Sequence, residues 1–417
     1  MATDTHRAIE AVWRIEAARL IAGLTRLVLD VGVAEELAQD ALVAALEQWP
    51  AEGVPHNPGA WLMTTAKRRG IDRIRRNETY RRKVEEVGRG LEESSPDIAT
   101  LVADDDGIGD DLLRLMFVAC HPVLSAEARA ALTLRLLGGL STEEIARAFL
   151  VPEPTVAQRI VRAKKTLAKA RVPFEVPQGD ELAARLGPVL EVLYLIFNEG
   201  YAATAGDDWM RPALCEEALR LGRVLVRLTP REPEAYGLVA LMEMQSSRAG
   251  ARTGAGGVPI LLADQNRARW DQLLIRRGLA ALERAEALAA GEPGPYVLQA
   301  AIAACHARAR HFQDTDWKSI AQLYEDLARA QPSPVVELNR AVALSMAYGP
   351  ETGLALLDQL LAFPALRTYH LLPSVRGDLL VKLGRRSEAK MEFERAAALT
   401  RNERERTLLL DRAAACA

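Results

Sequence analysis

Cysteine and aromatic residues are scarce in this chain of 417 residues, and no long apolar run occurs. The four cysteines stand far apart without a C-x-x-C pair, so the sequence indicates neither a disulfide framework nor a zinc site. No apolar run approaches the roughly 18 residues of a membrane-spanning helix, and the charged N-terminus does not resemble a signal peptide. These absences predict a reduced, cytoplasmic protein without a metal, a cofactor or a membrane contact.

Enzyme signatures are missing as well. The chain has no Gly-rich phosphate loop, no HExxH and no GxSxG, and its six histidines are scattered. What it has instead is abundant Ala, Leu and Arg, which lead the ranking of helix propensity. We therefore predict an all-α protein that is not an enzyme.

Positive charge is concentrated in two segments, although the net charge of the chain is only -3. Residues 61–83 hold nine Lys and Arg against two acids, and residues 153–171 hold six against one. Residues 84–111 between them hold ten acids against one Arg and include the runs EESSPD and ADDDGIGDD. We therefore expect two basic segments joined by an acidic, flexible linker at 81–111.

The N-terminal part shows helical periodicity. Residues 5–48 are expected to form two helices with a break near 30–32, and a further helix follows the loop 50–59. In the second helix an acidic outer side is predicted, because four acids fall outside the apolar stripe: Glu35, Glu36, Asp40 and Glu47. The stripe recurs every four residues at Leu37, Ala41, Ala45 and Trp49.

The helical pattern resumes over 112–136. A boundary with two prolines and a glycine lies at 172–180, and the chain beyond it is expected to be helical apart from a Gly-rich loop at 246–259. Near the end, two similar segments superpose with Gly349 over Gly384, a shift of 35 residues. Tetratricopeptide (TPR) repeats have a period of about 34 residues, so a TPR-like repeat of two helices is expected there.

The stretch GGLSTEEIARAFLVPEPTVAQRIVRAKKTLAKA predicts two helices and a tight turn. Ser141 and Glu144 have the spacing of a capping box, and Pro152 and Pro154 end the first helix and begin the second. The second helix has a single apolar stripe at Val156, Ile160, Ala163 and Leu167.

The other side of this second helix carries side chains that suit DNA. Arg pairs with guanine and Gln with adenine in the major groove, while Lys contacts phosphate. A solvated helix of a bundle is the alternative, but the capping box, the proline break and the one-sided stripe favour a helix-turn-helix. The candidate residues are Thr155, Gln158, Arg159, Arg162, Lys164 and Lys165, with Lys169 as a further phosphate contact.

The two basic segments resemble sigma-70 factors of the extracytoplasmic-function (ECF) group. VAEELAQDALVAALEQW and GAWLMTTAKRRGIDRIRR are similar to region 2, and LSAEARAALTLRLLGGLSTEEIARAFLVPEPTVAQRIVRAKKTLAKA is similar to region 4. LYLIFNEGYAAT, DQNRARWD, AIAACHARA, DTDWKSIAQLYEDL and PSPVVELNRAVAL resemble the long, TPR-like C-terminal extension of one ECF subgroup. The resemblance spans nearly the whole chain.

The resemblance implies a subunit that selects promoters. Region 2 would dock on the clamp helices of the RNA polymerase β′ subunit and open the −10 element, and region 4 would read the −35 element with the residues named above. The residues that would bind polymerase are Glu36, Gln39 and Asp40. Those assigned to the −10 element are Asn57, Trp61, Lys67, Arg68, Arg69, Arg73 and Arg76. At the position of Arg68 many ECF factors have Asn, so the −10 preference stays open.

Several candidate residues also have a structural interpretation. Trp61 either contacts DNA or belongs to the core. Asn198, Glu199, Gly200 and Tyr201 form either a helix end with Gly as its cap or part of a binding site. The charged run around Trp270 is either buried with internal partners or exposed as a contact surface; its other members are Asp264, Arg267, Arg269 and Asp271.

Four parts are therefore predicted: sigma region 2 at 1–80, the linker at 81–111, region 4 at 112–172 and a helical TPR-like extension at 180–417. The predicted function is that of an ECF sigma factor that binds core polymerase and promoter DNA. The extension would regulate it in cis, by packing or by binding a signal or a regulatory protein. The alternative is a helix-turn-helix regulator with a TPR-like sensor, which would bind DNA without polymerase.

Overall fold

The computed structural model describes residues 2–85, 108–149, 151–203, 205–206, 209–254 and 258–416. These ranges are helical apart from turns, irregular segments and one pair of two-residue strands, which confirms the all-α prediction. The α-helices are α1 Ala2–Val28, α2 Val31–Glu52, α3 Pro58–Glu85, α4 Ile108–Ala119, α5 Ala126–Leu136, α6 Thr142–Phe149, α7 Glu153–Lys169, α8 Asp180–Tyr201, α9 Pro212–Leu228, α10 Pro233–Ser246, α11 Gln272–Ala289, α12 Pro295–Arg308, α13 Trp317–Ala330, α14 Pro334–Tyr348, α15 Pro350–Leu360, α16 Leu371–Lys382, α17 Arg386–Leu399 and α18 Glu403–Ala414.

The chain divides into two compact units, Met1–Val192 and Leu193–Ala417. The division falls inside α8, so it lies beyond the boundary expected at 172–180. Each unit has its own buried apolar residues. Among the described helices, none is long and apolar enough to cross a membrane.

The first helices start and stop at recognisable signals. Asp30 caps α2 by accepting a hydrogen bond from the backbone N–H of Val33 at 2.9 Å, so the break falls where it was predicted. α2 continues through Pro50, and Gly53, with φ of 87°, ends it. The predicted loop at 50–59 is therefore shorter than expected. All four residues of the apolar stripe of α2 are buried: Leu37, Ala41, Ala45 and Trp49.

The acidic segment between the two basic ones is described only at its ends. α3 continues to Glu85, since the Arg, Lys and Glu residues there are good helix formers and no Gly or Pro interrupts them. α4 already begins at Ile108. The described parts of the predicted linker at 81–111 are thus helical, and residues 86–107 lie outside the described residues.

The single helical pattern over 112–136 corresponds to two helices. α4 ends before Pro122, which cannot continue a helix. α5 begins after Ser125, whose hydroxyl accepts a hydrogen bond from the N–H of Ala128 at 3.3 Å. The apolar period runs through both helices, and for that reason the sequence pattern did not reveal the break.

Helical hairpins with glycine turns form the end of the second unit. Gly349 joins α14 to α15 with φ of 107°, and Gly384 joins α16 to α17 with φ of 75°. Both angles lie in the left-handed region that favours glycine. The strands Ala205–Gly206 and Arg401–Asn402 pair in parallel within the same unit.

The connection between α10 and α11 is irregular, as the Gly-rich sequence predicted. It contains a 3₁₀ turn at Ala249–Ala251 and an isolated antiparallel bridge between Thr253 and Pro259. Two further 3₁₀ turns, Leu262–Asp264 and Arg267–Arg269, lead into α11. This connection places the charged run DQNRARWD immediately before α11.

Candidate nucleic-acid interface

α6 and α7 form two helices joined by a tight turn. The N–H of Ser141 donates to the Glu144 carboxylate at 2.7 Å, and the N–H of Glu144 donates to the Ser141 hydroxyl at 3.0 Å. This reciprocal pair confirms the predicted capping box. Pro152 precedes α7, and Pro154 lies in its first turn, where the missing N–H needs no partner.

α7 has one buried and one accessible side, as predicted. Gln158, Arg162, Lys165 and Lys169 are exposed, and Thr155 and Arg159 are half-buried. The accessible side therefore presents donors of the kinds that contact base edges and phosphates. The buried residues are those of the predicted stripe: Val156, Ile160, Ala163 and Leu167.

Lys164 differs from its neighbours on α7, because its ammonium group forms an ion pair with Glu35 of α2. Glu35 also accepts a hydrogen bond from Nε of Arg135 on α5 at 2.6 Å, and its side chain is only 4% exposed. One buried carboxylate thus holds two cations from the region 4 segment. The sequence predicted Glu35 on an acidic outer side, and this prediction is wrong.

The start of α3 is organised by Asn57 and two tryptophans. The Asn57 side-chain oxygen accepts a hydrogen bond from the N–H of Ala60 at 3.1 Å, so Asn57 acts as the helix cap. The half-buried Trp61 packs edge-on against the buried Trp49, with ring centroids 5.3 Å apart. Trp61 therefore has a core contact and an accessible part.

The acidic side of α2 lies beside the basic side of α3. Nη1 of Arg73 donates to the Glu36 carboxylate at 2.8 Å. Nη1 of Arg69 donates to the backbone oxygen of Asp40 at 2.7 Å and lies 3.8 Å from its carboxylate. Residues predicted to bind polymerase and residues predicted to bind DNA are thus in direct contact.

The remaining predicted residues of this surface have different surroundings. Gln39 donates to Glu35 at 2.7 Å and so supports the buried carboxylate. Arg68 is exposed and Lys67 half-buried, and no described carboxylate forms an ion pair with either. Arg76 belongs to α3, but its side chain lies outside the described part.

Gly200 lies within the last turn of α8 and not after it, so its predicted role as a helix cap is wrong. A Cβ at Gly200 would lie 2.6 Å from the backbone nitrogen of Cys215 on α9. Only a glycine permits this close approach of the two helices without a shift. The pKa of Cys215 is raised to about 12 by burial, which keeps the thiol protonated.

Of the neighbours of Gly200, one is buried in an ion pair and two are partly or fully exposed. Glu199 is buried and forms an ion pair with Arg211. Tyr201 is half-buried, and the Arg252 guanidinium lies 3.6 Å from its ring centroid. Asn198 is exposed.

One charged residue of the run DQNRARWD is buried with internal partners and the others are exposed, so each of the two interpretations holds for part of it. Arg267 is buried and donates to the backbone oxygen of His306 at 2.7 Å and to the Thr315 hydroxyl at 3.0 Å. Trp270 is buried beside it. The exposed charged members are Asp264, Arg269 and Asp271, of which Asp271 caps α11.

The internal ion pairs of the first unit were not predicted from the sequence. Asp111, which is 2% exposed, lies 3.5 Å from Arg26 and 2.6 Å from Arg114. Glu35 and Arg135 were missed in the same way. A signal was present for Glu35, since it follows Val31 by four residues and thus continues an apolar row of α2.

Comparison with known families accounts for the first unit and for part of the second. Residues 15–80 match Sigma-70 region 2, and residues 114–167 match Sigma-70, region 4. Residues 185–286 match a family of unknown function (DUF6596). Together with the helix-turn-helix, the matches to regions 2 and 4 identify the chain as a sigma-70 family factor.

The relatives are similar to this chain over different lengths. Uncharacterized protein R00370 of Rhizobium meliloti (strain 1021) is 45% identical over 383 residues, which cover 92% of this chain and 89% of that protein. The probable ECF RNA polymerase sigma factor SigI of Mycobacterium tuberculosis is 25% identical over 171 residues, 41% of this chain and 58% of SigI. The ECF RNA polymerase sigma factor SigK of Mycobacterium ulcerans (strain Agy99) is 28% identical over 148 residues, 34% of this chain and 75% of SigK.

Proposed function

We propose that this chain is an ECF sigma factor that directs core RNA polymerase to promoters and starts transcription in the cytoplasm. The observation that carries the proposal is the presence in one chain of a region 2 and a region 4, each with a basic helix. A regulator that only binds duplex DNA has no need of a second basic helix next to an acidic one.

In this proposal α7 enters the major groove at the −35 element. Gln158 and Arg162 are exposed, and half-buried Thr155 and Arg159 flank them on the same side. Lys165 and Lys169 contact phosphate, whereas Lys164 reaches phosphate only if its ion pair with Glu35 breaks. Arg159→Ala is expected to remove about 1–3 kcal/mol of base discrimination at one position of the −35 element. Binding of the variant to −35 sequences with single base substitutions measures this loss.

α3 takes the separated strand of the −10 element. Its Arg and Lys side chains attract the phosphate backbone of that strand, and the accessible part of Trp61 offers a surface on which a base stacks. Asn57 caps this helix and lies next to that surface in the sequence. The acidic side of α2, with Glu36, Gln39 and Asp40, binds the β′ clamp helices.

The second unit is proposed to be a TPR-like domain that regulates the sigma regions in cis. Two helical hairpins with glycine turns 35 residues apart support the repeat. A truncation tests the regulation. The cut belongs after Val192, because Arg185 donates to the Phe117 backbone oxygen and Glu191 forms an ion pair with Arg129. A cut before α8 would remove these contacts and damage the first unit.

Two assays on the purified full chain test the main proposal. A pull-down with core RNA polymerase is expected to retain the chain, and run-off transcription is expected to start at defined sites. Binding to DNA without binding to polymerase would instead identify a helix-turn-helix regulator. For the truncated chain, promoter output and polymerase affinity identical to those of the full chain would refute regulation by the second unit.

A further inference from the structure

A cavity of about 310 Å³ lies within the second unit, among α8, α10, α12, α13 and α14. This volume is at the small end of the roughly 300–1,000 Å³ typical of sites for small molecules. The proposed promoter recognition makes no use of this cavity, because all of its lining residues come after residue 193.

All five sequence stretches that carry the resemblance of the extension contribute to the cavity wall. LYLIFNEGYAAT supplies Tyr201, DQNRARWD supplies Trp270, and AIAACHARA supplies His306. DTDWKSIAQLYEDL supplies Tyr324, and PSPVVELNRAVAL supplies Asn339. Stretches that are far apart in the sequence thus meet at one cavity, and their shared position is its wall.

Aromatic rings are concentrated at this cavity. The chain has only seven Phe, six Trp and eight Tyr. Five of them line the cavity: Tyr194, Phe197, Tyr201, Trp270 and Tyr324. The rings of Phe197 and Tyr201 are stacked with centroids 5.8 Å apart. Such a wall suits a flat ring, because aromatic pairs add to the free energy of apolar burial.

The cavity wall includes an arginine side chain that has no acidic partner among the described residues. Arg248 lines it, and within the described residues its hydrogen bonds go to two neutral amide oxygens, that of Gln265 at 3.3 Å and that of Gln245 at 3.4 Å. No Asp or Glu is among the lining residues, and no carboxylate of the described ranges forms an ion pair with Arg248. A guanidinium in this position favours an anionic group, and its fork of donors matches a carboxylate.

Two other polar atoms at the cavity have no hydrogen-bond partner in the part of the chain that the structure describes. The indole N–H of Trp270, whose residue is 3% exposed, and Nδ1 of His306 are buried without a hydrogen bond to any described residue. Burial and the nearby Arg248 and Arg267 lower the pKa of His306 to about 3. His306 is therefore neutral at neutral pH, and Arg248 is left as the cation of the cavity wall.

We propose that this cavity binds a small molecule that combines an aromatic ring with a carboxylate. The carboxylate accepts hydrogen bonds from Arg248, and the ring packs against the aromatic wall that includes Tyr201 and Trp270. That such a ligand is the signal for the second unit rests on the function proposed above, whereas the binding itself does not.

Calorimetric titration of the full chain with phenylacetate and with its neutral isostere phenylacetamide tests the proposal. We expect saturable binding of one phenylacetate per chain and at least tenfold weaker binding of phenylacetamide. Absence of saturable phenylacetate binding would overturn the proposal, and so would equal affinities for the two compounds. This comparison needs no variant, so it stands even if a substitution prevents folding.

Variants locate the site. Arg248→Gln is expected to weaken phenylacetate binding at least tenfold and to leave phenylacetamide binding unchanged. Arg284→Gln is the matched control, since Arg284 is exposed on α11 and does not line the cavity. Ala303→Phe places a ring in the cavity and is expected to abolish binding of both compounds. Unchanged binding by Arg248→Gln would overturn the assignment. Run-off transcription is measured separately, so a failure of ligand binding can be distinguished from a failure of the proposed sigma function.

Discussion

Replacement of Glu35 by Gln should destabilise the first unit far more than replacement of its neighbour Glu36. The Glu35 side chain is 4% exposed and pairs with Arg135 and Lys164, which are 21% and 23% exposed. Removing one partner of a buried ion pair costs about 3–5 kcal/mol, because the remaining charge stays desolvated. Both cations here keep some contact with water, so we expect the lower end, about 3 kcal/mol.

For a unit of this size about 3 kcal/mol corresponds to a fall in Tm of roughly 6–12 °C. Glu36→Gln is the control: Glu36 is 63% exposed and its partner Arg73 is 43% exposed, and such surface pairs contribute about 0–1 kcal/mol. Urea denaturation of the full chain, with hydrogen exchange of peptides from α2 and α7, measures both variants. Equal stability of the two variants, or a loss below about 0.5 kcal/mol for Glu35→Gln, would refute the role of Glu35 as a buried anchor.

Other predictions concern α7, the cavity and α8. Lys165→Gln should reduce the salt slope of DNA binding by about 0.9, whereas Lys164→Gln should leave it unchanged. The reason is that Lys164 pairs with Glu35, while no carboxylate of the described ranges pairs with Lys165; the reverse result would place Lys164 on phosphate. The pKa of His306 falls from 6.5 to about 3 on folding, so the unfolded chain binds an extra proton between these values. The free energy of unfolding should therefore fall by about 1.4 kcal/mol per pH unit as the pH drops from 6.5 to 3. Urea titrations of His306→Gln at several pH values should lack this contribution. Gly200→Ala should lower the free energy of unfolding by about 1–3 kcal/mol, since its Cβ would meet α9. Gly187→Ala on the same helix meets nothing and should be neutral or stabilising. Thermal melts that rank the two variants the other way would contradict the packing.

Local signals in the sequence predicted the helix-turn-helix in detail. The capping box at Ser141 and the stripe that begins at Val156 depend on residues three or four apart, and one helix suffices to define them. The ion-pair partners of Glu35 could not be derived in this way. The row that starts at Val31 indicates that Glu35 is buried, but only the packed fold brings the cations at positions 135 and 164 to it.

The role of Gly200 was also beyond local reasoning. A glycine near a helix end is usually a left-handed cap, but here the neighbouring helix determines why no side chain fits. The cavity shows the same limit on a larger scale. Its motifs stood out as stretches of sequence, yet nothing in each stretch alone indicated that Tyr201, Trp270 and His306 face a common space.

The contact between the acidic side of α2 and the basic side of α3 has a consequence for the order of events. Arg69 and Arg73 are partly neutralised as long as Asp40 and Glu36 remain beside them. A protein that docks on those carboxylates would take them away from the arginines and raise the positive potential of α3. If α3 takes the separated strand as proposed, melted DNA would be held more strongly after docking than before it, and the isolated factor would have little tendency to occupy single strands on its own.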